Sequence, residues 1–311
     1  MKKLPTAAAV RQRALVALAL NRTPGFHFAG NFLGVELPEI GREHARLTVT
    51  PPPFLQRADG QPHFGVIALL ADMALACVVR ANLTPSQRLG TVSLNLQLQH
   101  ADGRGPLEAQ SRFGGFIEGP GGRQGISSVA LNAGSRSLLM GQGAFMVLRP
   151  PPGVAMHPIT SAVHAGVEPL QENDLDPAER TTLARVDAVL TRLSATPGSF
   201  VDALWTPKAR ITNRGAEAVV DNGPEFSNRV GHVQGGLQLA LAAATATAAL
   251  PAGWILSGAS AWYIRACEGR RLRITSQVIH RGRATAVVRS RIIGKGRRHM
   301  FEAVTTHVPG H

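Results

Sequence analysis

Apolar positions fall into two patterns along this chain, and the order in which the patterns alternate occurs twice. Residues 64–80 and 235–247 are apolar on nearly every side, and both are rich in alanine and leucine. Each predicts a helix buried all round. Residues 91–99 alternate with period two, with Val92, Leu94, Leu96 and Leu98 on one face, which predicts a half-buried antiparallel strand. The first half begins with a predicted amphipathic helix through about Leu20. Strands follow at 26–37 and 45–50 around a turn at Gly41, then the buried helix. Further strands are expected at 107–113, 125–131 and 138–148, with the glycine-rich segment 114–122 as a long hairpin loop.

The triple proline at 150–152 marks a boundary, and residues 154–172 are expected to be linker. Asp174, Asp176, Pro177 and Glu179 predict a capped helix start, with the helix running to about Leu193. The pattern then recurs. Strands are expected at 200–205 and 209–221, a polar loop at 222–229, the second buried helix, and four strands at 254–265, 271–280, 284–293 and 299–307. This is a tandem repeat of one α+β unit. The boundaries are 1–150 for the first unit, 151–195 for the linker and connecting helix, and 196–311 for the second unit.

With 311 residues, 44% hydrophobic and 17% charged, the chain is globular rather than disordered. The two cysteines, Cys77 and Cys267, form no disulfide framework and fit a reducing compartment. Arg11 and Arg13 interrupt any signal-peptide core, and the apolar helices are too short and alanine-rich for membrane spans, so a cytoplasmic protein without a membrane partner is expected. The formal net charge is +13. That charge suits a polyanionic small molecule as well as a nucleic acid or an anionic surface. With one Tyr and three Trp, the chain shows no aromatic-basic motif of an RNA-binding module, so no nucleic-acid partner is expected. Arginines are dense across 265–298, and Arg281 and Arg283, near a hairpin, are the candidate phosphate contacts there.

The two buried helices differ in one respect that bears on chemistry. The first carries an acid, Asp72, deep in its apolar run, and the second has Ala243 at the matching place. Ionised and unpaired, a carboxylate there is costly. Gly65 lies seven residues before Asp72, on the same face, and Gly235-Gly236 would let a ligand approach the start of the second helix, where free N–H groups and the positive dipole end lie. Alone, Gly235-Gly236 reads equally as tight packing, Asn228 as a turn residue or cap, and Asp72 as an acid satisfied at a helix interface.

Together these residues resemble the phenylacetyl-CoA thioesterase-like branch of the hotdog-fold acyl-CoA thioesterases. In that branch His-Gly-Gly opens the central helix and an acid follows nine positions after the His. His63-Phe64-Gly65 with Asp72 keeps that spacing, with Phe64 for the first Gly; Gln234-Gly235-Gly236 with Ala243 keeps the glycines but not the His or the acid. The branch also places an Asn six residues before the motif, which Asn228 matches and Arg57 does not, and a hydroxyl residue on the strand after the helix, which Thr91 matches. The resemblance implies a double hotdog, an α+β fold of two tandem units, each with a long central helix wrapped by an antiparallel sheet. It implies an internal pseudo-dimer, whose sheet edges could join into a further homo-oligomer.

The implied activity is hydrolysis of an acyl-CoA thioester at one working site, without a metal or other cofactor. Asp72 would be the general base or nucleophile and Thr91 its orienting partner. Gly235, Gly236 and Asn228 would bind the oxyanion. Gln234, His63, Gly65, Arg281 and Arg283 would contact substrate. The alternative is a non-catalytic acyl-CoA-binding sensor with a degenerate site, favoured by Gln234 and Ala243. A hydratase ranks behind both, since His63 has no acid opposite.

Overall fold

The structure is a computed structural model that describes residues 7–23, 27–99, 103–150, 166–196, 198–228 and 230–310. Residues 154–165 of the expected linker and the start of the strand expected at 26–37 lie outside the described residues.

Both apolar runs are helices in the expected places. Helix α3 is Phe64–Arg80 and helix α6 is Gly235–Ala248, and they pack against each other. Fourteen of the seventeen α3 residues are buried, because the helix is covered on one side by strands and on another by α6. Helix α1 (Ala7–Asn21) packs on α4 (Pro177–Ala195), tied by Arg11 to Glu172 and Asp187 and by Arg22 to Glu179. The start of α4 is a capping box between Asp176 and Glu179, as the sequence predicts.

The strands of the first half are β1 (Glu36–Ile40), β2 (His44–Val49), β3 (Arg88–Leu98), β4 (Leu107–Gly119), β5 (Gly122–Ala133) and β6 (Arg136–Leu148). Those of the second are β7 (Ala209–Thr212), β8 (Gly215–Asp221), β9 (Trp254–Tyr263), β10 (Arg271–Arg281), β11 (Ala286–Ile293) and β12 (His299–Pro309). They form one antiparallel sheet in the order β1-β2-β4-β5-β6-β3-β9-β12-β11-β10-β8-β7. The second six mirror the first six, so a pseudo-twofold axis passes between β3 and β9, which pair through Ser93↔Trp262, Asn95↔Ser260 and Gln97↔Gly258. Helix α3 lies on the first six strands and α6 on the second.

Four sequence expectations are corrected. Residues 28–33 are helical (α2, Phe28–Leu33), capped by His27 and ended by Gly34 in the left-handed region, and strand structure begins only at Glu36. Residues 200–205 are likewise a helix (α5, Phe200–Trp205), started by the Ser199 side chain accepting the Asp202 N–H. All of α2 and, in α5, Phe200, Val201 and Trp205 are buried by tertiary packing that a short run cannot announce. The glycine-rich 114–122 segment is mostly strand: β4 and β5 run to a tight turn, and the extra residue is taken up at a bulge between Phe113 and Gly115. Residues 209–221, expected as one strand, are the β7–β8 hairpin.

Candidate active site

The site begins at the first turn of α6. Gln234 holds extended backbone geometry as the N-cap, and its side-chain oxygen accepts the Leu237 N–H at 2.9 Å. The other end of the same amide donates to Asp72 Oδ2 at 2.6 Å. One side chain therefore caps α6 and binds the acid of α3. The Gly236 N–H also points at Asp72 Oδ2, at 3.3 Å, and Thr91 Oγ1 donates to Asp72 Oδ1 at 3.3 Å. Asp72 is 5% exposed, with three donors around it and no ion pair among the described residues. Burial pushes its carboxyl up to about 7, against the opposing pull of Gly236 and Thr91.

Thr91 reaches Asp72 because β3 is irregular. Strict alternation puts Thr91 on the polar face, opposite Leu94. The pairing with β6 runs Thr91↔Phe145 and then Ser93↔Ala144, so Val92 is an extra residue. This bulge turns Thr91 back to the face that carries the buried Leu94 and Leu96.

The two glycines have different reasons. A Cβ at Gly236 would lie 2.3 Å from the Ala68 carbonyl oxygen and 2.6 Å from Leu69 Cα, so Gly236 sets the close approach of α6 to α3. A Cβ at Gly235 would lie 2.8 Å from Asp72 Oδ2, so Gly235 leaves room for the acid. Packing and site geometry thus both require this pair.

Two cavities meet here, sharing Arg88, Leu89, Thr91, Asn228 and Gly235 in their walls. One, of about 130 Å³, has Asp72 and Gln234 at one end and Met73, Ala76, Cys77 and Phe145 as apolar lining. The other, of about 290 Å³, is bordered by His232, Gln238, Tyr263 and Arg265. Asn228 stands between them. Its side-chain oxygen accepts the N–H groups of Val230 and His232, both at 3.0 Å, and so holds the loop before α6.

The structure brings together Asp72, Thr91, Asn228, Gln234, Gly235 and Gly236, and places the other four candidates elsewhere. Arg281 and Arg283 belong to the β10–β11 hairpin. Ala286 in that hairpin packs with Ala246 and Leu250, at the far end of α6, about 20 Å along the helix from the Gly235 end. Arg88 and Arg265 border the site instead. Their place was not legible in the sequence, because strand alternation says which face an arginine takes, not which end of the sheet lies beside a helix start. Tyr263 was also missed. It is the chain's only tyrosine, and its hydroxyl donates to the Gly235 carbonyl at 2.8 Å.

His63 and Gly65 lie at the pseudo-equivalent place, the first turn of α3. His63 Nδ1 accepts the Gly65 N–H at 2.9 Å, and Nε2 is 3.0 Å from Thr206 Oγ1. Burial, helped by Arg57, pushes His63 down to about 4, so it is neutral. Here Phe64 stands for Gly235 and Ala243 for Asp72. The bulge pairing of β9 with β12, Leu256↔His307 followed by Gly258↔Thr306, puts Leu256 in the place of Thr91. The buried Trp205 lies against Gly65, where an added Cβ would be 3.5 Å from its ring. The counterparts of Asp72, Thr91 and Gly235 are thus all replaced at this second position, where His63 Nε2 faces instead the Thr206 hydroxyl at 3.0 Å and the Asp202 carboxylate at 3.6 Å.

No protein-family profile matches the chain, and no curated protein sequence matches it either. Solved structures do match in shape. A protein assigned as a thioesterase II from Thermobifida fusca YX is 16% identical with a TM-score of 0.53, over 93% of this chain and 99% of that one. The TesB protein of Mycobacterium avium subsp. paratuberculosis is 13% identical with a TM-score of 0.51, over 89% and 96%. The 12:0-ACP thioesterase of Umbellularia californica is 11% identical with a TM-score of 0.52, over 86% and 94%. At these identities the likeness is one of fold. What is shared over most of the chain is an α+β fold with a large antiparallel sheet.

Proposed function

We propose that the chain is a double hotdog, units 1–150 and 196–311 joined through 151–195, that hydrolyses an acyl-CoA thioester at one site between the units. One observation carries this: the Asp72 carboxylate of α3 is buried against the glycine start of α6, where two cavities meet. The smaller, more apolar cavity suits the acyl group. The larger one, with Arg88 and Arg265, suits the coenzyme A arm and its phosphates.

As general base, Asp72 takes a proton from water while the water oxygen attacks the thioester carbonyl carbon. The carbonyl oxygen becomes an oxyanion and accepts the Gly235 N–H, a first-turn donor that needs a partner from outside its own helix. Protonating Asp72 weakens its hold on the Gly236 N–H, which then becomes a second donor to the oxyanion. Collapse breaks the C–S bond, the thiolate takes the proton from Asp72, and a carboxylic acid and a free thiol leave. In the nucleophilic route Asp72 itself attacks, the thiolate leaves, and water then cleaves the mixed anhydride. Thr91 orients the carboxylate in both.

The test is thiol release from short, long and aryl acyl-CoAs by wild type and Asp72→Asn. Turnover lost in the variant supports the assignment, and turnover unchanged in it refutes the assignment. The second reading is an acyl-CoA-binding sensor. It is favoured by Gln234, which cannot titrate, and by a Gly236 N–H already engaged with Asp72. Binding of acyl-CoA without turnover of any thioester would select it.

A further inference from the structure

Tyr263 is the last residue of β9, edge-on to Phe301 with ring centroids 5.0 Å apart, and borders the larger cavity. Its hydroxyl donates to the Gly235 carbonyl at 2.8 Å. That carbonyl and the Gly236 N–H belong to one peptide group. A trans peptide is planar, with its C=O and N–H pointing in opposite directions. A bond that holds the oxygen on one side therefore fixes the direction of the hydrogen on the other, and that hydrogen points at Asp72 Oδ2, 3.3 Å away.

We propose that Tyr263 is a positioning residue for this site: through the Gly235–Gly236 peptide it holds the Gly236 N–H on Asp72 and on the oxyanion position. The proposal rests on the thioesterase reading for its kinetic consequence, and on geometry alone for the coupling of Tyr263 to Asp72. Two adjacent glycines make the first turn of α6 its least constrained part, since neither has a Cβ to limit its backbone. Close packing requires Gly236 and the room taken by Asp72 requires Gly235, so added stiffness has to come from outside the helix. A tyrosine anchored in the sheet supplies it with only two side-chain torsions to fix. The hydroxyl also polarises the peptide, so that O–H, C=O, N–H and carboxylate form a cooperative chain in a site shielded from water. Burial and the neighbouring Asp72 charge both raise the phenol well above its usual range, so Tyr263 stays protonated and a donor.

Because the chain has a single tyrosine, the test can be read at one atom. Protein labelled with ¹³C at tyrosine Cζ gives one resonance. It is expected to shift with pH as Asp72 titrates near 7, and to lose that step in Asp72→Asn. In parallel, Tyr263→Phe keeps the ring and its contact with Phe301. It is expected to lower kcat about tenfold with KM nearly unchanged, and to move the acid limb of the pH profile upward as Asp72 loses a polarised donor. A purely structural role would lower Tm and leave the limb in place. A resonance flat from pH 5 to 9 (about four units around the expected step) overturns the coupling. An unchanged kcat in Tyr263→Phe overturns the positioning role. Wild type without turnover removes the thioesterase reading, and the resonance still decides the coupling.

Discussion

Asp72, the residue on which the proposed chemistry rests, is kept at a cost to the fold. Its carboxyl is raised from 3.8 to about 7 by burial. A group raised in this way binds its proton more tightly folded than unfolded, so the folded state loses stability as pH rises from about 4 to about 7, by at most about 4 kcal/mol. Asp72→Asn removes that penalty while keeping an acceptor for Gln234 and a donor toward Thr91. Its Tm is expected to exceed that of wild type at pH 8 and to converge on it near pH 4, as thermal unfolding across pH would show. The same substitution is expected to lower kcat/KM at least about a thousandfold. A lower Tm at pH 8 would mean that the acid is held by more than the three donors described. In wild type, a base must be ionised, so kcat/KM is expected to rise with pH through a single step near 7. Thr91→Val, which removes one donor to the ionised form, is expected to move that step upward. A profile falling through pH 7 would make the neutral acid the working form.

At the scale of elements, the site is a consequence of how closely α3 and α6 approach. Gly236→Ala puts a methyl carbon 2.3 Å from a backbone oxygen of α3, which no rotamer change can relieve. It is expected to cost about 1–3 kcal/mol or more in chemical denaturation, and to lower kcat more than KM rises, since Gln234 and Asp72 are drawn apart. The elements also show what the sequence could and could not tell. Both long helices were legible to within a residue or two, because apolar residues on every side have no other home. Asp72 and the Gly235-Gly236 pair were legible because the repeat offers an internal control: what one copy keeps and the other loses need not be structural. Helices α2 and α5 were not legible, since six residues carry too little periodicity, and packing decides them. Thr91 was legible only by its place in a motif. Its alternation pointed it outward, and the bulge that turns it inward is recorded in the pairing of β3 with β6, which no local pattern encodes. Arg281 and Arg283 failed for a related reason. Charge density along the chain says nothing about which end of α6 a hairpin meets.

The whole molecule is a pair of similar halves in which, among the described residues, only one of two symmetric positions holds a buried acid bonded by a strand hydroxyl and a helix N-terminus. A duplicated unit folding on itself creates both positions at once, each made from one helix start and the other helix's middle. At the first, Asp72, Thr91 and Gly235 converge. At the second, Ala243, Leu256 and Phe64 occupy the corresponding places and Trp205 lies against the helix start. The two positions therefore differ not at one residue but at the counterparts of Asp72, Thr91 and Gly235 together, and the Thr206 hydroxyl and Asp202 carboxylate at the second face His63 rather than the place of Asp72. Ala243→Asp should accordingly create no second site. It would bury a carboxylate with neither the Thr91 hydroxyl nor an open glycine beside it, and is expected to destabilise by about 2–4 kcal/mol without adding turnover. Calorimetric titration of Asp72→Asn with a non-hydrolysable acyl-CoA analogue is expected to give one equivalent bound per chain, and the same value when Ala243→Asp is added. Two equivalents per chain in either protein would show that Trp205 and Phe64 do not close the second position, and that the asymmetry of the halves lies in reactivity alone.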